Sequence, residues 1–233
     1  MMFETYVKAI LPRTRDVTSF RFTKPVELRY SPGQYMFVTI SAGEKQLTHP
    51  FSFSSSPTEK DFVEFTKKFT SSEYSVALKA LKLGDSVKID APYGSFTFMG
   101  EHKKILLLAG GIGITPFRSI CRYSTDLQLP SEIVLLYGCR TENDVSFGAE
   151  LELMQQQNPK LKVIFVLNEA SNSWHGKVGL ITADLIKEEV PDYKERTFFA
   201  CGPPAMVVAM SKIVAELGLP KKQLKLESFT GHI

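Results

Sequence analysis

The segment Lys104-Ile-Leu-Leu-Leu-Ala109, running directly into Gly110-Gly111-Ile112-Gly113-Ile114-Thr115-Pro116, does most to restrict the fold of this chain. An apolar run without alternation suits a strand covered on both faces, as in a parallel sheet. The glycines permit a sharp turn. Thr115 suits a helix cap, and Pro116 suits a first turn, where its missing N–H costs nothing. A helix is expected from Pro116 towards Thr125. Further strands are expected at 133–137, 161–167, 196–201 and 224–229, and further helices at 148–157, 182–188 and 204–217. Buried strands alternating with helices at this spacing predict an open, mostly parallel α/β sheet.

Before residue 99 the pattern differs. Segments 35–40, 61–66 and 86–90 alternate or cluster β-forming residues between turn signals such as Ser31-Pro32-Gly33, Ser56-Pro57 and Gly84-Asp85. A short helix at 75–83 is the one helical segment expected there. This predicts a small antiparallel β-barrel. The change falls between Gly94 and Glu101, so two domains are expected, 1–99 and 100–233.

Bulk properties exclude several classes. The net charge of +3 comes without a dense basic stripe and gives no sign of a nucleic-acid partner, and none is expected. Cys121, Cys139 and Cys201 are far apart and too few to hold an iron–sulfur cluster. His49, His102, His175 and His232 are scattered, so no structural metal is expected. No run approaches the roughly 18 apolar residues of a membrane span. An odd cysteine count and no recognisable secretory leader suit a reducing interior, and a cytoplasmic location is expected.

Three segments could carry chemistry. The turn at 110–116 lies where a pyrophosphate could approach a helix start, although Pro116 replaces the third glycine of the usual dinucleotide fingerprint; the alternative is a tight strand-to-helix turn with no ligand. Ala200-Cys201-Gly202-Pro203-Pro204 ends a second buried strand at the same expected sheet edge. Cys201 there is either a core cysteine or a group beside a bound ring, and Gly202 is expected to open space next to it. His49-Pro50-Phe51-Ser52-Phe53-Ser54-Ser55, if extended, turns Phe51, Phe53 and Ser55 one way and Ser52 and Ser54 the other. It reads as a ring-stacking strand or as an ordinary barrel strand.

Taken in order, these motifs resemble the ferredoxin–NADP reductase superfamily across essentially the whole chain. Residues 49–55 correspond to its Arg-x-Tyr-Ser-x-x-Ser flavin motif and Ser72-Glu73-Tyr74-Ser75 to its Gly-x-x-Ser phosphate element. Pro92-Tyr93-Gly94-Ser95-Phe96, Gly110–Pro116 and Cys201–Pro204 match further family segments. The resemblance implies a flavin-binding barrel followed by a nicotinamide-binding domain, with hydride passing from NAD(P)H to flavin N5. Ser52 is then expected near N5, and Phe51 against the isoalloxazine or ribityl region. His49, Pro50, Ser55, Lys68, Ser72 and Ser75 are expected around the flavin. Gly110, Gly111, Gly113, Thr115, Pro116 and Arg140 are expected around the nucleotide. Cys201, Gly202 and Pro203 are expected beside the nicotinamide, Phe229 on the other flavin face, and Glu227 positioning the nicotinamide or relaying protons.

The chain departs from the pattern at three positions. His49 stands where the family has arginine, with Lys67 or Lys68 as the compensating cation. Phe51 replaces tyrosine, and Ser72 replaces glycine. These changes imply weaker flavin retention. FAD is the expected flavin, with FMN or an exchangeable flavin as alternatives. NADH is expected over NADPH, because Glu169 would repel a 2′-phosphate even though Arg140 and Thr141 could greet one. The expected acceptor is a separate redox protein: a ferredoxin, a flavodoxin or an oxygenase component. The alternatives are an NAD(P)H:flavin reductase that uses free flavin and a binding or regulatory subunit without turnover.

Overall fold

The computed structural model describes residues 1–229, so His232 lies outside the described residues. The first half is one six-stranded antiparallel sheet of β1 (Met2–Pro12), β2 (Val17–Thr23), β3 (Tyr35–Ala42), β4 (Lys45–Ser52), β5 (Phe62–Lys68) and β6 (Ser86–Tyr93). The strand order is β4-β3-β6-β1-β2-β5. The expected barrel is therefore present as a sheet with two edges and no continuous ladder joining them. The edges are bridged where Ser54 N–H and Ser55 N–H donate to Glu64 O, at 2.8 and 3.4 Å. Strand β4 is an edge strand, which is why it tolerates Pro50. The inward positions of these strands, including Phe22, Met36, Val38, Phe65 and Ile89, form one core with Phe53, which follows β4. Helix α1 (Glu73–Lys79) is shorter than expected and is capped by Ser72, whose hydroxyl accepts from Ser75 N–H.

The second half is a six-stranded parallel sheet of order β10-β9-β8-β7-β11-β12. Its strands are β7 (Lys104–Gly110), β8 (Glu132–Cys139), β9 (Leu161–Leu167), β10 (Lys177–Val178), β11 (Thr197–Gly202) and β12 (Leu224–Ser228). Helices α2 (Ile114–Asp126), α3 (Gly148–Gln157), α4 (Ala183–Glu189) and α5 (Pro204–Glu216) complete it. Alternate residues of the continuous apolar strands feed two cores, one on each face: Ile105 and Leu107 enter one, Leu106 and Leu108 the other. From β7 the chain winds outward through β8, β9 and β10, then returns to the other side of β7 as β11. The order therefore reverses between β7 and β11. In such sheets a ligand crevice opens beyond the carboxyl ends of the strands at that point.

Candidate active site

A cavity of about 520 Å³ lies between the two sheets, within the usual size range of cofactor sites. The antiparallel half contributes Tyr35, Phe37, His49, Pro50, Phe51, Ser52, Lys67, Lys68 and Thr70; the parallel half contributes Ile112, Thr115, Pro203, Pro204, Glu227 and Phe229. Strand β4 ends at Ser52, so Phe51 and Ser52 both reach the cavity. The expected alternation stops there. Phe53 packs on Tyr30 with centroids 3.9 Å apart. Ser54 Oγ donates to Glu64 Oε1 at 2.8 Å, and Ser55 Oγ pairs with Tyr30 Oη at 2.9 Å. Ser55 therefore turns away from the cavity and is fully buried.

Ser52 and Glu227 are the polar groups of most chemical interest. Both line the cavity, and neither Ser52 Oγ nor Glu227 Oε2 makes a hydrogen bond of normal geometry among the described residues. Burial pushes the Glu227 carboxyl up to about 7, and the nearby Ser52 hydroxyl partly offsets that rise. Buried polar atoms without partners cost stability unless something else satisfies them. Their convergence on one cavity therefore fits a polar ligand edge. Strand register sets Glu227 opposite Cys201. Cys201 itself is fully buried in the core and does not line the cavity, and burial keeps its thiol far above the ordinary range.

The glycine turn differs in detail from expectation. Helix α2 begins at Ile114 with Gly113 as its cap residue, so Thr115 lies inside the helix and does not cap it. Its Oγ1 donates to Ile112 O at 3.2 Å while the residue lines the cavity. Pro116 is buried and lies outside the lining. A Cβ on Gly113 would fall 2.2 Å from Cys201 O, so this glycine is required by strand–turn packing. Gly111 has φ +51° and open space around a would-be Cβ, leaving its backbone approachable. Gly202 does not open a space: Met206 Sδ and the Gly110 backbone occupy its side-chain position.

Other expected residues separate into two groups. Phe51 is stacked with Phe65 at 4.1 Å and His49 at 5.0 Å, so much of its ring surface is already packed. Lys67 and Lys68 both border the cavity; burial lowers the Lys67 ammonium, whose Nζ lies 5.7 Å from the Phe51 ring centroid, and Lys68 pairs with Asp16 at 3.2 Å. Ser72 and Ser75 lie outside the lining, their hydroxyls bonded to each other and to Thr70. Arg140 is exposed, outside the lining, and paired with Glu169 at 3.2 Å. Phe229 donates its N–H to Gly202 O at 3.0 Å, anchoring its ring at the cavity.

Sequence reading missed the charged cluster behind the cavity. Arg118 of α2 is buried and bonds to Ser54 O, Glu59 and Glu150, while Arg13 joins Glu150 to Glu64. The available signal was a charged residue one turn after Ile114 on an otherwise apolar helix face. The aromatic wall of Tyr35 and Phe37 was also missed; its members look like ordinary strand residues in sequence. Among the described residues there is no cluster able to hold a metal ion and no helix long and apolar enough to cross a membrane.

A cleft between an antiparallel flavin-type sheet and a doubly wound nucleotide sheet defines a class: two-domain oxidoreductases that join a flavin to a nicotinamide. Residues 7–98 match the oxidoreductase FAD-binding domain family, and residues 107–212 match the oxidoreductase NAD-binding domain family. The chain belongs to the FAD- and NAD(P)-binding oxidoreductases of the ferredoxin–NADP reductase and cytochrome b5 reductase superfamily. It is 33% identical over 213 residues to NADH-cytochrome b5 reductase 1 of Mortierella alpina, covering 88% of this chain and 72% of that protein. It is 30% identical over 240 residues to the reductase component of propane 2-monooxygenase from Mycolicibacterium smegmatis, covering 98% and 68%. Its fold matches the cytochrome b5 reductase domain of Ulva prolifera nitrate reductase with a TM-score of 0.85, at 21% identity over 97% of each chain. The chain is a flavin-dependent NAD(P)H oxidoreductase.

Proposed function

We propose that this enzyme uses NADH to reduce an FAD held in the cleft and passes the electrons to a separate redox protein. The observation that carries the reading is the convergence of Ser52 Oγ and Glu227 Oε2 on one cavity, from opposite halves of the chain and without a well-formed hydrogen bond to either among the described residues. When bound, the flavin supplies the ring nitrogen that takes the hydride with its two electrons, and the capacity to release those electrons singly. Ser52 offers a hydrogen bond at the ring edge. Phe51 and Phe229 border the ring, and Lys67 with Lys68 supplies positive charge for flavin phosphate. The approachable backbone at Gly111 and the start of α2 receive the nucleotide pyrophosphate. Glu227 holds or gives up a proton near neutrality beside the nicotinamide. Packing around these groups excludes water and fixes the approach of the two rings.

The preference for NADH rests on Arg140 being paired with Glu169, which opposes a 2′-phosphate at that position. A separate acceptor is supported by relatives named as reductase components of a monooxygenase system and as cytochrome b5 reductases. An oxygenase component or a small electron-transfer protein fits best. A division near residue 99 into flavin and nucleotide domains and a cytoplasmic setting accompany this reading.

One observation favours a second reading, in which free flavin is a substrate. The hydroxyls of Ser72 and Ser75 are already used within the helix cap, and among the described residues no arginine lines the cavity. Both features weaken the hold on flavin phosphate. An absorbance spectrum of the purified protein, before and after each reduced nicotinamide without oxygen, tests both. Yellow protein bleached preferentially by NADH supports the first reading. Colourless protein that oxidises NADH only with added flavin supports the second, and flavin that never bleaches tells against both.

A further inference from the structure

We infer that Arg118 is a positioning residue that holds the two walls of the cleft in register for hydride transfer. This rests on the reading of the cleft as the place where nicotinamide meets flavin. Arg118 lies in α2, one helical turn after Ile114 and directly behind the glycine turn. It reaches across to the segment that follows Ser52. All five of its N–H donors are used. Nη1 donates to Ser54 O at 3.0 Å and to Glu59 Oε2. Nη2 donates to Glu59 Oε1 at 3.0 Å and Glu150 Oε2 at 2.8 Å, and Nε donates to Glu150 Oε2 at 3.1 Å. The next residue repeats the tie, with Ser119 Oγ donating to Ser55 O at 2.7 Å.

Two successive residues of α2 thus bind two successive carbonyls just beyond Ser52. The turn that lines the nucleotide side and the strand end that carries Ser52 are joined by a short path. The charges balance: Arg13, Arg21 and Arg118 face Glu59, Glu64 and Glu150 in one linked cluster. Glu64 and Arg118 are nearly inaccessible to solvent, so salt screens their interactions little. A rigid, fully bonded fork suits fixing a distance better than a flexible ammonium does. Arg118 touches neither ring site directly; it acts through the Ser54 carbonyl on Ser52, two residues earlier in the chain. Small misplacements between reacting groups are costly to rate even where binding survives.

The test compares wild type, Arg118→Lys and Glu59→Gln. Lysine keeps the charge but cannot span Ser54 O, Glu59 and Glu150 together. Three quantities are measured: flavin reduction at saturating reduced nicotinamide by anaerobic rapid mixing, FAD affinity of the apoprotein by fluorescence quenching, and long-wavelength absorbance when oxidised nicotinamide is added to the reduced protein. The expected result is a reduction rate lowered about tenfold or more and a weakened long-wavelength band, with FAD affinity within about threefold of wild type. An unchanged saturating rate and band in Arg118→Lys, with only a lower melting temperature, overturns the inference and leaves a stabilising cluster. If Arg118→Lys does not fold, Glu59→Gln decides by the same readouts, since it removes the carboxylate that aims the guanidinium at Ser54 O and leaves Arg118 itself in place. A wild-type flavin that binds but does not bleach overturns the reading of the cleft itself, an outcome distinct from the clamp failing alone.

Discussion

Ser52 of the antiparallel sheet and Glu227 of the parallel sheet line one cleft, where the Ser52 hydroxyl tempers the rise that burial gives the Glu227 carboxyl. Neither Ser52 Oγ nor Glu227 Oε2 has a well-formed hydrogen bond among the described residues, which is a cost that a bound polar ring edge would remove. Function and stability should therefore respond in opposite directions when either is changed.

Ser52→Ala removes a buried hydroxyl whose polar neighbour Glu227 is met only at poor hydrogen-bond geometry. The apoprotein should be as stable as wild type or more so, by up to about 1 kcal/mol, in urea unfolding. Flavin reduction should slow by about tenfold to a hundredfold, with nicotinamide affinity changed much less. Rapid-mixing absorbance at the flavin band checks this, and an unchanged rate removes Ser52 from the reaction.

Glu227 imposes a pH dependence whose sign follows from its environment. Burial raises its folded-state pKa to about 7 from an ordinary 4.5. Below 4.5 the carboxyl is protonated in both states and costs nothing. As pH rises from there to about 7 the unfolded chain ionises first, so stability falls, and above 7 the loss is complete. Glu227→Gln should flatten that decline by about 3 kcal/mol between pH 4 and pH 8. Urea unfolding of the apoprotein at the two pH values measures it; equal declines in both proteins would contradict the assignment.

Gly113 and Gly111 should behave differently despite being two residues apart. Alanine at 113 drives a Cβ into the Cys201 and Gly202 backbone, with contacts of 2.2 to 2.6 Å. It should cost about 3 kcal/mol or more and disturb the cleft. Alanine at 111 meets no atom within 4 Å and bears only the strain of φ +51°, about 1 kcal/mol. Thermal unfolding of the two variants distinguishes them, and equal losses would argue against the packing role of Gly113.

Glu169→Ala should release Arg140 from its 3.2 Å partner. Because both side chains are exposed, stability should change by less than about 1 kcal/mol. The ratio of kcat/KM for NADPH over NADH should rise about tenfold, as an available guanidinium can pair with a 2′-phosphate. An unaltered ratio would move the site of cofactor choice elsewhere.

Much of the α/β half was legible because its signals are local. Continuous apolar strands such as 104–109 can lie only where both faces are covered, and helices between them force parallel pairing. The antiparallel half was less legible. Strand β1 mixes exposed and buried residues across Met2–Pro12 without clean alternation, and β4 stops at Ser52 where a longer extended segment was expected. Thr115 looked like a cap because an offset of two residues in a helix start is invisible in a sequence. Gly202 looked like a gap because Met206, which fills its side-chain position, folds back from α5.

Composition and periodicity alone determined that the chain would fold as two halves of different architecture, and motif order carried the resemblance that implied nucleotide binding at the turns. These properties depend on neighbours a few residues apart. Only the tertiary structure decided that Ser52 and Glu227 share a cleft, that Cys201 lies beneath it, and that Arg118 ties the halves together. Those relations join residues distant in the chain, and electrostatic and packing forces act through space, whatever the separation along the backbone.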